Sequence, residues 1–562
     1  MSISQPALTD LLSSPDHSLM HRQIATDPLA PVQSLTVDST GKISFSVGVG
    51  VNNLSSDGTL VGNSDSTIPT EKAIKNYIDG HFIQGVTWDE SADTYVRTGS
   101  IAGQTLGVKL ADGLLPIQSR MRRCVINDAG VVQYYLSAIN SAYKEDGVTA
   151  SVLTGADGQV MVEIPKFYYK YSYSGTSHTY EISLYPIAGF TVHPAFLLDA
   201  VAKDHLYVGA YEGVLYDNSL SAYVGGVYQP AVSCVFASAD KSLTIATLSG
   251  WASVLTVGQK LVITGTASNN ATITVASIVS GTKITIDEAL TDETAAATVI
   301  QVQTDVTATT GDKLSSVSGF APITGCVANG TRAHFRTYSA NRGAGWSQMF
   351  IDVLSAIQLL YLVEYASFYS QSVIGAGISN VTNWPAYSNY NSLAKSGNSN
   401  TIGNASGNTA GSTSCATEST KYMSYRGIEN WYGHIWKWVD GFNINDNIPY
   451  LCNNIANFAD ATVTNYTRPV DVLAADITMI NANGYQNLLA KIGRGFFPVS
   501  IAAPADASHK ITDYYYQSTG WRVAVSGDSA DHGAAGGGFC LACTYAASFL
   551  SRFISGRLVF RS

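Results

Sequence analysis

Two cysteines near the C-terminus, Cys540 and Cys543, have only two residues between them, a spacing that suits thiolate chemistry. As half of a zinc site the pair needs two further ligands, and the sequence contains no second close pair of cysteines. As a redox pair it needs a helix that starts directly after a strand, whereas the surrounding sequence has the pattern of a glycine-rich hairpin. The residues alone therefore favour two thiols without a reactive role.

Carboxylates and histidines offer little else for catalysis. Cleavage of a polysaccharide needs two carboxylic acids positioned for general acid and general base catalysis. The adjacent Asp89 and Glu90 lie in a polar turn, and no sequence feature marks them as such a pair. We interpret His434 as a core histidine with its hydrogen bonds satisfied and Asp440 as a turn carboxylate. Glu364 lies in an apolar helical pattern and is predicted to be a buried carboxylate paired with an arginine or with backbone donors. The sequence thus predicts no catalytic residue, metal or cofactor.

Composition narrows the classes of partner. The chain has 562 residues, enough for about three or four domains, and only 13% of them are charged. Fifty glycines and a hydrophobic share of 46% are typical of a folded, β-rich and loop-rich extracellular surface. A net charge of −10 without a basic run argues against binding to nucleic acid and to anionic membranes.

Targeting signals are also missing from the sequence. Residues 1–20 lack a basic start followed by an apolar run, and no stretch approaches the length of apolar sequence that spans a bilayer. We therefore expect neither a secretory signal nor membrane insertion. Seven scattered cysteines do not form a disulfide framework, and assembly in a cytosol would leave them reduced.

The N-terminal part contains short elements. Within 18–60, short apolar alternations broken by turn residues, clearest over 35–47, predict a small β-hairpin or a fibre-like element. Pro69 and Glu71 suit the first turn of a helix over 69–78, in which Ala73, Ile74, Tyr77 and Ile78 form one apolar stripe. A helix of this length is marginal alone, and we expect it to pack against its copies in a homotrimer.

Two longer helical patterns follow. Apolar residues at helical spacing predict a helix over 131–143, and a stronger pattern over 345–369 predicts a helix buried in the core of its domain. Between them, strands are predicted at 160–164, 167–171 and 180–185. Residues 229–303 alternate at period two between Gly, Asn and Ser turns, which predicts a compact all-β module inserted through one exposed loop.

The segment SDGTLVGNSDSTIPTEKAIKNYID, followed by GVTWDESADTYVRTGS at 85–100, resembles the N-terminal parts of phage tail-fibre and related virion proteins. The resemblance covers about residues 18–100. It implies attachment to a virion and no chemistry.

The phrase from Tyr425 to Gly441, YRGIENWYGHIWKWVDG, resembles the core of the C-type-lectin-like fold of formylglycine-generating enzymes and of phage tropism determinants. Residues 520–560 are similar to the terminal region of lectin-fold proteins diversified by retroelements. Together the resemblance covers 115–228 and 304–562. It implies a rigid frame that displays variable side chains for receptor binding.

Within this frame, alternation predicts that Phe539 and Leu541 point inward and that Cys540, Ala542 and Thr544 point outward. The stretch 548–553 resembles a turn and carries large apolar groups, which are costly in a loop unless they are buried or used as contacts. The predicted receptor-binding residues are Asp528, Ala530, Asp531, His532, Cys540, Ala542, Thr544, Tyr545, Phe549, Leu550, Arg552 and Phe553.

Formylglycine-generating enzymes also place two copper-binding cysteines late in this fold. Their spacing is wider than that of Cys540 and Cys543, so the carry-over of oxidase activity fails at these residues. Two alternatives to an adhesin stay open: a structural virion decoration without receptor contact, and an oxidase or glycan-degrading enzyme.

The sequence as a whole predicts an α+β, β-rich multidomain fibre protein. Its domains are an N-terminal virion-attachment and trimerisation region (1–114), a C-type-lectin-like receptor-binding domain in two parts (115–228 and 304–562) and the inserted β module (229–303). We expect a phage adhesin that is not an enzyme, is assembled in the host cytoplasm and is carried on the virion tail. The expected partners are a host-cell surface receptor, protein or glycan, other virion tail proteins bound by the N-terminus, and two further copies of the chain.

Overall fold

The computed structural model describes four short strands near the N-terminus and residues 82–561 apart from 226–227, 249, 326, 382–393, 411–420 and 503–509. The chain divides into two compact units, Met1–His81 and Phe82–Ser562. The sequence placed its first boundary later, after residue 114.

The N-terminal unit contains the strands β1 (Leu35–Val37), β2 (Ile43–Phe45), β3 (Asn53–Ser55) and β4 (Thr67–Pro69). β1 and β2 pair antiparallel, which confirms the hairpin predicted over 35–47. β3 and β4 pair parallel. Apart from Pro69, which ends β4, the helix predicted over 69–78 lies outside the described residues.

The strands of the second unit that precede the β module are β5 (Ile83–Asp89), β6 (Thr94–Gly99), β7 (Arg122–Ile126), β8 (Val132–Tyr135), β9 (Gln159–Pro165), β10 (Tyr168–Ser174), β11 (Ser177–Ser183), β12 (Thr191–Val192), β13 (Leu197–Leu198), β14 (Val201–Ala202), β15 (His205–Gly209), β16 (Val214–Asp217) and β17 (Ala222–Val224). The module itself contains β18 (Tyr228–Ala237), β19 (Ser242–Thr244), β20 (Lys260–Thr264), β21 (Ala271–Ser280), β22 (Lys283–Ile286) and β23 (Glu293–Val302).

After the module come the strands β24 (Lys313–Ser315), β25 (Trp346–Gln348), β26 (Gly407–Ala410), β27 (Lys421–Tyr425), β28 (Ile428–Glu429), β29 (Trp436–Asn445), β30 (Ile448–Leu451), β31 (Gly484–Leu489), β32 (Pro498–Ala502), β33 (Tyr514–Gln517), β34 (Trp521–Ser526), β35 (Leu541–Tyr545), β36 (Ile554–Ser555) and β37 (Leu558–Arg561). The α-helices are α1 (Arg332–Ala340), α2 (Ile351–Tyr365) and α3 (Ser370–Val373). Short 3₁₀ helices lie at Asp112–Leu114, Gln118–Arg120, Pro194–Phe196, Trp251–Val254, Asn400–Ile402, Ile455–Asn457 and Gly533–Ala535.

Three larger sheets build the second unit, which is β-rich as the composition predicts. The first has the order β12-β10-β11-β5-β6 and therefore includes residues 83–99, which the sequence assigned to the N-terminal region. The second has the order β25-β37-β15-β9-β7-β8, so the C-terminal strand β37 lies between strands from both sides of the module. The third has the order β30-β29-β34-β35-β33-β31-β32 and is joined by β36.

The β module is a closed barrel with the order β18-β19-β22-β21-β20-β23. Alternate residues of β20, such as Leu261 and Ile263, are buried, as the period-two pattern predicts. β16 pairs both with β17, which precedes the barrel, and with β24, which follows it. The chain therefore enters and leaves the barrel at one three-stranded stem.

The helix predicted over 131–143 is wrong. Val132–Tyr135 is instead the edge strand β8, and Ile139 beyond it is 78% exposed. The Tyr134 hydroxyl donates to Asp157 at 2.8 Å and the Tyr135 hydroxyl donates to Glu163 at 2.9 Å. Both acceptors are distant in sequence, so tertiary partners override the local apolar spacing.

The helix predicted over 345–369 is confirmed in its centre as α2, and residues 346–348 form strand β25 instead. All fifteen residues of α2 are buried, because the helix packs against β5 and β11 on one side and β29 on another. Arg97 on β6 donates to the carbonyl oxygens of Val363 and Glu364 at 2.7 and 2.8 Å, which satisfies the C-terminal end of the helix.

Buried charges within this core are paired. Glu364 accepts from the guanidinium of Arg426 at 2.6 Å, as predicted. Asp440 is not a turn carboxylate: it lies within β29, fully buried, and accepts two hydrogen bonds from Arg336 at 2.7 and 2.8 Å. β29 continues through this position with a shift of register between Val439 and Asn443, so Asp440 lies at an irregularity within a strand and not in a turn.

His434 is a core histidine, as predicted. Its Nδ1 lies 2.5 Å from Glu212 and its Nε2 accepts from the backbone amide of Ala394 at 3.0 Å. The same Glu212 carboxylate lies 3.0 Å from the ammonium of Lys437. Burial opposes ionisation, but the hydrogen bond with His434 and the charge of Lys437 lower the pKa of Glu212 to about 2. The cluster fixes β29 to the loop that follows β15.

Candidate binding surface

The predicted receptor-binding residues lie in the segment between β34 and β35, on β35 itself and in the loop between β35 and β36. β33 and β35 are parallel neighbours in which Tyr516 stands beside Ala542, and β34 pairs antiparallel with β35. Phe539 and Leu541 pack into the core that contains α2. Cys540 and Ala542 pack into a second core on the opposite face, so the predicted alternation of these side chains is confirmed.

The predicted exposure of that face is wrong. Cys540 and Ala542 are buried, and Thr544 is half-buried. Alternation along a strand sets the face on which a side chain lies, but Cys540 and Ala542 share the second core with residues of distant segments, such as Ile378 and Tyr422. Asp528 and Ala530, which precede β35, are buried as well.

An aromatic cluster is formed by residues of β29, β31 and β33, strands of the same sheet as β35, together with His532. The ring of Tyr516 lies 4.5 Å from that of Tyr514 and 5.6 Å from that of His532, measured between centroids. Trp436 lies 6.0 Å from both Tyr516 and His532. Tyr485 extends the row, with its centroid 5.2 Å from that of Tyr514. Tyrosine supplies a large amphipathic contact area at low entropic cost, so this row suits a binding surface.

Sequence reasoning missed Tyr514 and Tyr516. The signal was available in the run Tyr514-Tyr515-Tyr516, because alternation in a strand places the first and third rings on the same face. The structure agrees: Tyr515 is fully buried, whereas Tyr514 and Tyr516 are half-buried.

The loop between β35 and β36 carries the exposed apolar groups. Phe549 is 38% exposed and Leu550 is 43% exposed, which makes them the most open of the predicted apolar residues. The ring of Phe549 stacks on that of Tyr545, with centroids 4.5 Å apart and ring planes 23° apart. The guanidinium of Arg552 lies over the ring of Phe553 at 5.3 Å. Tyr545, Arg552 and Phe553 are half-buried and tie the loop to the sheet.

Charged groups near the cluster pair with one another. His532, with 35% of its side chain exposed, hydrogen-bonds through Nδ1 to the buried carboxylate of Asp528. Burial works to lower the pKa of His532, but the hydrogen bond to Asp528 and its charge raise that pKa above the ordinary value. The hydroxyl of Ser529 donates to Asp531 at 2.6 Å. The surface therefore carries the imidazole of His532, whose positive charge is stabilised by the buried carboxylate of Asp528.

The glycines of 536–538 pack too tightly for any side chain. A Cβ atom on Gly538 would lie 2.3 Å from the Trp431 ring, and one on Gly537 would lie 2.2 Å from the carboxylate of Asp513. Asp513 is fully buried and accepts from the backbone amide of Phe539 at 2.6 Å. Burial raises the pKa of Asp513 well above its ordinary value. The segment that leads into β35 is thus rigidly fixed.

Cys540 and Cys543 do not form a joint site. Cys540 packs into one core and Cys543 into the other, so the two thiols lie on opposite faces of the strand. Burial raises the pKa of Cys540 well above its ordinary value and also raises that of Cys543. The pair therefore does not match the donor set of a copper or zinc centre, which needs thiolates converging on one point.

Comparison of the chain with protein-family models and with curated proteins gives no match. In the part of the chain that the structure describes, no three His, Cys, Asp or Glu side chains are grouped so as to hold a metal ion. Among the same residues, no helix combines the length and apolar character that a membrane span requires.

Proposed function

We propose that the chain is a receptor-binding adhesin of a tailed bacteriophage that attaches the virion to a host-cell surface through its C-terminal face. The observation that carries the proposal is the pair Phe549 and Leu550, exposed at the tip of a loop whose two ends join buried strands. Exposed apolar groups on a fixed support mark contact sites, because water disfavours them and little order is lost on binding.

The contact surface comprises the loop and the aromatic cluster beside it. Of the residues predicted from the sequence, those that line it are Asp531, His532, Thr544, Tyr545, Phe549, Leu550, Arg552 and Phe553. Tyr514 and Tyr516 are added to this set. Asp528, Ala530, Cys540 and Ala542 are buried and are therefore not part of this contact surface.

We infer that the second unit is a C-type-lectin-like domain with the barrel inserted into it. Two features support this assignment. The phrase from Tyr425 to Gly441 includes the start of the buried strand β29, and the C-terminal strand β37 pairs with the early strand β15. Such a closed frame holds surface loops in place whatever side chains they carry.

Attachment in this proposal is adhesion without a chemical step. Phe549 and Leu550 are already more than half buried, so covering the rest of each side chain supplies roughly 0.5–1 kcal/mol. Three copies in a homotrimer, held to other tail proteins by the N-terminal region, multiply a weak contact through avidity. The virion would be assembled in the host cytoplasm.

The test compares two double variants of the full-length protein. Phe549→Ala with Leu550→Ala removes the exposed pair, and Val472→Ala with Leu473→Ala removes a matched exposed pair elsewhere. Free wild-type protein should inhibit adsorption of the phage that encodes it. The first variant should inhibit at least about tenfold less well, and the second should match the wild type.

Two outcomes count against the proposal. Wild-type protein that neither binds host cells nor inhibits adsorption, yet is present on the virion, would establish a structural decoration instead. Equal inhibition by the wild type and the Phe549→Ala, Leu550→Ala variant would move the receptor contact away from this loop.

A further inference from the structure

A cavity of about 320 Å³ lies at the stem of the barrel, well separated in sequence from the C-terminal loop. Its walls come from the turn between β7 and β8, from the loop 155–159 and from the stem strands β16, β17 and β24. This volume is at the lower end of the range for small-molecule sites.

The lining is polar and aromatic. Of the twelve lining residues, only Ala156 has an aliphatic side chain, and the stem contributes Tyr216, Asn218, Tyr223 and Lys313. Amide, carboxylate, ammonium and phenol groups together offer both donors and acceptors. A drug-like apolar ligand finds little to contact here, whereas a polyol can use both kinds of group.

The charges in the cavity balance. Asp128 lies 3.1 Å from the ammonium of Lys313 and 2.5 Å from the guanidinium of Arg342. Asp157, the other lining carboxylate, accepts from the Tyr134 hydroxyl at 2.8 Å. Two acids and two bases leave no net charge, so the cavity does not favour a strongly anionic or cationic ligand.

The two tyrosines form an aromatic corner. Their ring centroids are 5.1 Å apart and their planes meet at 66°. The Tyr223 hydroxyl donates to the carbonyl oxygen of Gly155 at 3.3 Å, and a Cβ atom on Gly155 would lie 2.3 Å from the Tyr223 ring. Gly155 also has a φ of +98°, so glycine is required in this wall.

Hydrogen-bonding capacity remains for a ligand. Among the described residues, neither the Tyr216 hydroxyl nor the side-chain carbonyl of Asn218 has a protein partner, although the Asn218 amide nitrogen donates to Thr310 at 2.8 Å. The electron-rich face of a tyrosine ring attracts C–H groups that carry partial positive charge. One face of a sugar ring presents such groups and its rim presents hydroxyls.

We propose that this cavity binds a neutral saccharide of one or two rings. The stem tyrosines contact the C–H face of the sugar, and Asn218 and Asp157 bind its hydroxyls. The site is separate from the contact surface at the C-terminal loop, and its existence does not depend on that surface.

The probes for the test are D-glucose, D-galactose, N-acetyl-D-glucosamine and L-rhamnose, each added to the full-length protein. Saturation-transfer NMR should detect at least one of them with a dissociation constant on the order of 1 mM, typical of a small ligand that makes few contacts. Asn218→Ala and Tyr216→Ala should each weaken that binding about tenfold.

Matched controls are Asn481→Ala and Tyr369→Ala, which change exposed residues of the same types that do not line the cavity. They should bind the sugar as the wild type does. A Tyr216→Phe variant keeps the ring and removes only the hydroxyl, so it separates loss of a hydrogen bond from loss of folding. For Asn218→Ala, an unchanged thermal unfolding midpoint shows that weaker binding does not result from loss of folding.

Absence of transfer to all four sugars overturns the proposal. So does binding that survives both Asn218→Ala and Tyr216→Ala. Binding that is lost in the Phe549→Ala, Leu550→Ala variant instead would assign the sugar to the C-terminal surface, which would support the proposed function and contradict this inference.

Discussion

The backbone amide of Trp436 donates a hydrogen bond of 2.6 Å to the carbonyl oxygen of Phe553. Trp436 is the first residue of β29, a strand buried along almost its whole length, and Ile554 continues the contact as the parallel partner of Trp436. The loop that carries Phe549 and Leu550 is therefore fastened to a central element of the unit. A contact surface held in this way loses little conformational entropy when it binds.

The buried pair of Arg426 and Glu364 should be essential for stability. Arg426→Met leaves the carboxylate of Glu364 buried and unpaired at the C-terminal end of α2, which should cost about 3–5 kcal/mol of unfolding free energy. Urea unfolding followed by tryptophan fluorescence measures the change. The control Arg468→Met breaks an exposed pair with Asp476 and should cost less than about 1 kcal/mol. Equal costs for the two variants would contradict the burial of Glu364.

Gly538 should not tolerate alanine. The added methyl group would lie 2.3 Å from the Trp431 ring, so we expect a loss of about 1–3 kcal/mol through overpacking. Gly113→Ala is the matched control, because its Cβ atom would meet nothing within 4 Å. Differential scanning calorimetry should show a lower midpoint for Gly538→Ala only. An equal thermal unfolding midpoint in both variants would mean that Gly538 is not closely packed against the Trp431 ring.

His193 should make the protein sensitive to acid. Burial lowers the pKa of His193 to about 3 in the folded state, while the unfolded chain has an ordinary value near 6.5. Between these values the unfolded state binds the extra proton, so stability falls as the pH decreases, by about 1.4 kcal/mol for each pH unit. Protonation of His193 therefore costs no unfolding free energy above about pH 6.5, and the loss grows as the pH falls towards 3.

The measurement is the slope of unfolding free energy between pH 6 and pH 4. His193→Asn keeps a side-chain acceptor for the Ala195 amide and removes the titrating ring, so its slope should be shallower than that of the wild type. A His193→Asn slope as steep as that of the wild type would refute the assignment.

The thiols should resist modification in the native state. All five cysteines that the structure describes are free and buried, and burial raises the pKa of each. Mass spectrometry after brief iodoacetamide treatment at pH 8 should find Cys540 and Cys543 unmodified. All seven cysteines should react in urea, which serves as the positive control. Rapid labelling of Cys540 in native protein would show that its strand is open to solvent.

Local residue patterns were sufficient to predict those helices and strands whose hydrophobic spacing is regular. The centre of α2 and the strands of the barrel follow from helical spacing and from period-two alternation, because each buries one kind of side chain over many residues. The pairing of Glu364 with an arginine was predictable as well, since a carboxylate inside a buried helix must have a partner. Residues 131–143 matched a helix in spacing, yet the hydroxyls of Tyr134 and Tyr135 donate to Asp157 in a loop and to Glu163 in β9, and the segment formed a strand.

The C-terminal surface shows what sequence and tertiary structure each decide. The sequence by itself determined that Cys540 and Ala542 lie on the face opposite Phe539 and that 549–550 form an apolar loop tip. Only the tertiary structure decided that the face is buried while the tip is open, because Cys540 and Ala542 share a core with residues of distant segments, such as Ile378 and Tyr422. Alternation fixes the side of a sheet that a residue occupies, and the packing of distant segments fixes whether that side meets water.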